Sequence, residues 1–177
     1  MTKPRVITED YRRLNAELHK DNEHYGISGQ KYAELVGGLA AAMGTDDILD
    51  YGAGKQTLAN ALPQYAIKAY DPAIEYISTT PDPADLVVCT DVLEHIEPEC
   101  LDAVLDDLVR VTKKVLIATV ATRPANKTLS DGRNAHLIVE DFKWWLPKFW
   151  DRFDINQFQN MDGFQFMLIM QPRENKE

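Results

Sequence analysis

The residues with the most chemical content fall in one stretch, Asp50-Tyr51-Gly52-Ala53-Gly54. A short apolar run, Ile48-Leu49, leads into an acid and an x-G-x-G step, and apolar spacing resumes at Leu58, Ala59 and Leu62. That is the pattern of a buried strand, a tight glycine turn and a helix start. Glycine suits a turn where backbone passes close to a ligand, because a Cβ would fill the space. Asp71-Pro72 follows a second short apolar run, with Asp71 lying 21 positions beyond Asp50. A carboxylate at the end of a second strand can accept hydrogen bonds from both vicinal hydroxyls of a ribose. An acid before proline also begins turns, so the position gives Asp71 its meaning. Together these residues describe a nucleoside-binding turn. Thr57 stands where a dinucleotide fingerprint has its third glycine, which disfavours a nicotinamide enzyme.

Thr90 and Asp91 close the apolar run Leu86 to Cys89, at the end of a strand where open α/β sheets present chemistry. Asp91 is a candidate to contact cofactor, orient substrate or accept a proton; its plainer role is to cap a helix. His95 and His136 are candidate bases, and each has a plain alternative, as a packed histidine and as a solvated loop histidine.

The elements that must position these groups follow from periodicity. A helix is expected over residues 8–19, with Thr8 as its cap and Tyr11, Leu14 and Leu18 on one face. A second, capped by Ser28, carries Tyr32, Leu35, Val36, Leu39, Ala40 and Met43 and stops at Gly44. Between Asp71 and Asp85 the chain is short and contains Pro72, Pro81 and Pro83. A full crossover does not fit there, so the connection is shortened, with a short third strand expected near 75–78. Pro98 opens a helix bearing Leu101, Val104, Leu105, Leu108 and Val111, and Val115 to Val120 is a further strand. The polar segment 121–139 is a candidate substrate loop. A helix from Glu140 is expected to end or kink at Pro147, and Asp162-Gly163 signals a terminal hairpin. In the aromatic group Trp144, Trp145, Phe149 and Trp150, two rings are expected in the core and the others along the substrate cleft.

The stretch Ile48-Leu49-Asp50-Tyr51-Gly52-Ala53-Gly54 resembles the first motif of the class I S-adenosylmethionine-dependent methyltransferases. Asp85-Leu86-Val87-Val88-Cys89-Thr90-Asp91-Val92-Leu93-Glu94-His95-Ile96 resembles that family's fourth-strand segment and its "VLEH" continuation. The likeness covers roughly residues 25–170 and departs at Gln56, where many members carry another glycine. It implies a Rossmann-like, mainly parallel seven-stranded sheet with helices on both faces and a C-terminal antiparallel hairpin. S-adenosylmethionine is the implied cofactor, held by Asp50, Tyr51, Gly52, Ala53, Gly54, Asp71, Pro72, Thr90 and Asp91. Asp82 is the implied partner of the adenine amine. The methyl acceptor is expected to be a small molecule, with Asp91, His95 or His136 as its base where one is needed. The Asn-Pro-Pro-Tyr type motif of base-amine methylases is absent, Thr90-Asp91-Val92-Leu93 standing in its place.

Asp91, Glu94, His95 and His136 also resemble the E-x-x-E-H pattern and later histidine of metal-assisted members, the ubiquinone-pathway O-methyltransferases and small-RNA 2′-O-methyltransferases. Such members use a divalent ion on vicinal hydroxyls. Here Asp replaces the first Glu, and methyl transfer is expected to need no metal. A remaining alternative is a non-catalytic cofactor-binding module serving a partner protein.

Composition sets the outer bounds. The 177 residues, 45% hydrophobic, suffice for one core. The expected division is a helix and covering loop over 1–30, one methyltransferase domain over 31–171 and a frayed tail over 172–177. A net charge of −9 disfavours non-specific nucleic-acid binding. Two cysteines and no long apolar run suggest a cytoplasmic protein without a membrane segment.

Overall fold

The computed structural model describes residues 5–173. Helix α1, Glu9–Asp21, begins at Thr8, whose side chain accepts from the Tyr11 N–H. A single 3₁₀ turn, Ser28–Tyr32, precedes α2, Ala33–Met43, so Ser28 opens that turn rather than capping the helix. Gly44 ends α2 in the left-handed conformation. Strand β1, Ile48–Tyr51, runs through the glycine turn to a short α3, Thr57–Ala61, and then β2, Lys68–Tyr70. Strand β3, Ala84–Thr90, is followed by α4, Leu101–Val111, β4, Thr112–Ala121, and α5, Phe142–Trp150. Strands β5, Phe153–Met161, and β6, Gln165–Pro172, complete the order.

Among the described residues the sheet has six strands in the order β2-β1-β3-β4-β6-β5, not seven. β2, β1, β3 and β4 are parallel; β6 runs antiparallel to β4, and β5 antiparallel to β6. The expected third strand is instead one 3₁₀ turn, Glu75–Ile77. The short connection closes on itself: the Ile74 N–H donates to the Asp71 carbonyl at 3.2 Å and the Asp71 N–H to that of Ile77 at 3.0 Å. Those bonds consume the groups a strand would have offered a neighbour.

Alternation along the central strands divides the core between two faces. Leu49, Tyr51, Val87 and Cys89 face α4 and α5, with Leu105, Trp145 and Phe149. Ile48, Leu86, Val88 and Ile117 face α2 and α3, with Val36, Ala40 and Leu58. A third, small cluster joins Tyr11 and Leu14 of α1 to Leu129 of the 122–139 segment.

Asp162 and Gly163 join β5 to β6 with φ of 51° and 79°. Positive φ at both central residues is the turn whose twist suits a hairpin. Pro147 does not end α5, which continues to Trp150 after Asp141 caps it through the Lys143 and Trp144 N–H groups. Pro172 pairs with Phe153 in the β5–β6 ladder and so belongs to the sheet rather than to the frayed tail expected over 172–177; residues 174–177 lie outside the described part.

Candidate active site

The sheet order reverses between β1 and β3, and a cavity of about 370 Å³ opens at their carboxyl ends. Such a switch point is where open α/β sheets bind ligands. Asp50, Gly52, Ala53, Gly54, Asp71, Pro72, Thr90 and Asp91 all line it. Tyr51 does not. Its ring lies in the core and its hydroxyl donates to Asp107 Oδ2 at 2.9 Å, because strand alternation turns it away from Asp50.

The turn needs its glycines. Gly52 has φ +84°, and a Cβ there would stand 2.3 Å from Val92 Cγ2. At Gly54, φ +49°, a Cβ would stand 2.7 Å from the Gly26 carbonyl oxygen. The 22–27 loop after α1 therefore lies directly on the turn, and the Lys55 N–H donates to that carbonyl at 2.9 Å.

Asp71 is held from two sides. Its Oδ2 accepts from the Gly54 N–H at 3.2 Å and its Oδ1 from the Ala73 N–H at 3.0 Å. Each oxygen keeps a second lone pair. His19 of α1 brings Nε2 to 3.8 Å from Oδ2. Burial lowers the His19 pKa against the pull of Asp71, so this contact is between a carboxylate and a predominantly neutral ring. Asp50 is buried, and desolvation followed by the Asp71 charge pushes its pKa up to about 7.

Asp91 is not a helix cap. It has φ +54°, and its Oδ1 accepts from Thr119 Oγ1 at 3.2 Å and from Gln165 Nε2. Tyr32 adds its hydroxyl at 3.5 Å. The "LEH" residues form one 3₁₀ turn, Leu93–His95, so Asp91 does not share a helical face with Glu94 and His95. The four-residue metal set of the sequence reading therefore does not assemble. Glu94, His95 and His136 do converge, each offering a ligand atom within 4.8 Å of the others.

Glu94 is fully buried, one oxygen accepting from the Ala121 N–H at 3.0 Å and the other without a partner. Desolvation, with Asp91 nearby, pushes its pKa up to about 8. Burial and the adjacent His136 push that of His95 down to about 3.

The sequence reading expected a covering segment over 1–30 but named none of the α1 side chains as cavity residues. Tyr11, Asn15 and His19 line the cavity at a spacing of four, a helical face that the apolar pattern of Leu14 and Leu18 concealed. Tyr25 stands between His19 and His95, with ring centroids 4.6 and 5.6 Å away. Asp82 is not among the cavity residues. The aromatic group also differs from expectation: Trp145 and Phe149 are core, whereas Trp144 and Trp150 are exposed and do not line the cavity.

No protein-family model matches the sequence, and no curated protein matches it. Solved structures do resemble the chain. The 1,6-didemethyltoxoflavin-N1-methyltransferase of Burkholderia thailandensis, with its substrate and S-adenosylhomocysteine bound, superposes with TM-score 0.66 at 13% identity over 98% of this chain and 94% of that one. Magnesium protoporphyrin IX methyltransferase from Synechocystis PCC 6803, also with S-adenosylhomocysteine, gives 0.60 at 16% identity, over 93% and 97%. An N-methyltransferase of Bradyrhizobium japonicum gives 0.59 at 12% identity, over 93% and 100%. At these identities the likeness establishes the fold, the Rossmann-like α/β sheet shared by these S-adenosylmethionine-dependent methyltransferases.

Proposed function

We propose that the chain is a methyltransferase that binds S-adenosylmethionine across the glycine turn and passes its methyl group to a small-molecule acceptor. The observation that carries this reading is the convergence of Gly52, Gly54, Asp50 and Asp71 on one cavity at the sheet's switch point. The glycines let the turn close against Val92 and Gly26 in positive-φ backbone, and the spare lone pairs of Asp71 suit two ribose hydroxyls. Asp50 and Thr90 border the remainder of the cofactor, and Asp91, steadied by Thr119 and Gln165, stands beside the reacting end. Residues 5–30 form the cover, and 31–171 the catalytic domain.

The sulfonium of the bound cofactor makes its methyl group electrophilic. The protein's part is chiefly alignment, which can supply roughly 7–11 kcal/mol of the barrier. α1 and the 122–139 segment roof the cavity through their own apolar cluster and a Ser130–Glu17 hydrogen bond of 2.8 Å. In this reading the roof shields the methyl group from water, and His136 serves the acceptor side.

No described helix is long and apolar enough to cross a membrane, and both cysteines are free and buried; a reducing, cytoplasmic setting fits those thiols.

Titration calorimetry tests the reading. S-adenosylmethionine and S-adenosylhomocysteine are expected to bind in the micromolar range and NAD not at all. Heat with NAD and none with the methionine nucleosides would end it. Cofactor binding without methyl incorporation into any cellular pool would instead favour a silent binding module.

A further inference from the structure

Glu94, His95 and His136 sit together in the cavity wall with no part in holding the cofactor turn. Their hydrogen bonds define what can bind there. His95 Nδ1 lies 2.7 Å from the Ala135 carbonyl, and His136 Nδ1 lies 2.6 Å from that of Arg123. A carbonyl oxygen only accepts, so each Nδ1 carries the hydrogen. In the neutral ring the lone pair is then at Nε2. The two rings meet edge to face, 4.7 Å between centroids. Beside them stands the one oxygen of Glu94 that finds no partner in the protein, on a side chain with no exposure at all. A buried polar atom left so costs about 1–3 kcal/mol. Folding alone does not account for that arrangement; a polar ligand that bonds to the Glu94 carboxyl and offers hydrogen to the two Nε2 lone pairs does.

Resting on the methyltransferase reading, we infer that the acceptor is an O–H or N–H nucleophile presented to these three groups, with His136 Nε2 taking its proton. As the methyl group arrives, the acceptor oxygen or nitrogen forms the new bond to carbon. The carbon–sulfur bond breaks with its electron pair left on sulfur, and the acceptor's proton passes to His136. The sulfonium charge is thereby exchanged for an imidazolium. A carboxylate or thioether acceptor has no hydrogen to offer and would set its lone pairs against those of two imidazoles. His136 takes the proton because it lies on the 122–139 segment at the cavity wall. His95, enclosed between Tyr25 and His136, accepts a hydrogen bond and positions the acceptor. A divalent cation is the other occupant three such atoms can satisfy; against it, Asp91 is committed to Thr119 and Gln165.

Two measurements decide the matter. The chain has four histidines, so long-range proton–nitrogen spectra of protein labelled on histidine nitrogen can be assigned with His95→Asn and His136→Asn. Both rings are expected as Nδ1–H forms with bare Nε2, unmoved by zinc or manganese. A hydrogen on His136 Nε2, or metal-induced shifts or broadening at both rings, would overturn the inference. The second measurement follows transfer from methyl-labelled cofactor into a small-molecule extract. The label is expected to be stable to alkali, and His136→Asn, whose amide can keep the bond to Arg123, to lower incorporation at least about 100-fold. S-adenosylhomocysteine affinity should be unchanged. Release of labelled methanol by alkali marks a carboxylate ester, and undiminished transfer by the variant removes His136; either sinks this inference alone. Absence of incorporation by the wild-type protein sinks the methyltransferase reading, and this inference with it.

Discussion

Asp71 holds the glycine turn and, in the proposed reading, the cofactor's ribose through one side chain. Its inner lone pairs hold the Gly54 and Ala73 N–H groups, and its outer ones stay available to a ligand. Asp71→Ala therefore has two separable effects. Losing hydrogen bonds to a charged acceptor costs roughly 1.5–3 kcal/mol, so the cofactor should bind about 10- to 150-fold more weakly by calorimetry. Two turn amides also lose their acceptor, so the ligand-free protein should melt earlier as well. Unchanged affinity would remove Asp71 from the site. The residue was legible in the sequence because spacing alone placed it, and so were Gly52 and Gly54. Tyr51 misled, since membership of a motif says nothing about which side of a strand a side chain takes. Glu94 was singled out in the sequence only as a member of a metal-ligand pattern. Its unpartnered oxygen depends on how the Leu93–His95 turn meets Ala121, a contact between residues 27 apart in sequence.

Among the elements, those with a continuous apolar run were readable: β1, β3 and β4, each buried on both faces by helices. The hairpin was readable because Asp-Gly supplies the positive φ its turn demands. The segment 75–78 misled because thirteen proline-rich residues left no room even for the short strand expected there, and a single 3₁₀ turn forms instead. The place of α1 was not legible, since its anchor is non-local. The Thr8 N–H and hydroxyl both donate to Glu97, at 2.9 and 2.6 Å, across 89 positions of sequence. That anchor fixes the start of the helix that carries Tyr11, Asn15 and His19 along the cavity. Glu97→Ala should loosen the first turn of α1, at a cost of about 1–3 kcal/mol. Hydrogen exchange should quicken over residues 9–21 while β1 and β3 stay protected. Equal protection of α1 in variant and wild type would show that the apolar contacts with Leu129 suffice to hold it.

For the molecule as a whole, the buried acids of the cavity govern how stability depends on pH. Asp50 and Glu94 have folded pKa values raised to about 7 and about 8, from 3.8 and 4.5. Between those limits the folded chain keeps protons that the unfolded chain has released, so each group makes stability fall as pH rises. His95, lowered from 6.5 to about 3, acts in the opposite sense. Below pH 6.5 the unfolded chain binds a proton there that the folded one refuses, so that contribution rises with pH and ends near 6.5. His19 is lowered too and adds to it. The opposing slopes cancel in large part between about pH 5 and 6.5. Above 6.5 only the acids remain. Stability of the ligand-free protein should then drop from pH 6.5 to 8 by on the order of 2 kcal/mol, since one proton per pH unit is worth about 1.4 kcal/mol. Glu94→Gln keeps the amide-accepting oxygen from Ala121 but cannot ionise, and it should remove most of that drop. Denaturant unfolding at half-unit pH steps measures both curves. A wild-type curve that stays level to pH 8, or a variant that falls as steeply, would mean that Glu94 is ionised in the folded protein. A cation partner would then have to be present in that wall of the cavity, because an unpaired carboxylate would not stay charged at full burial.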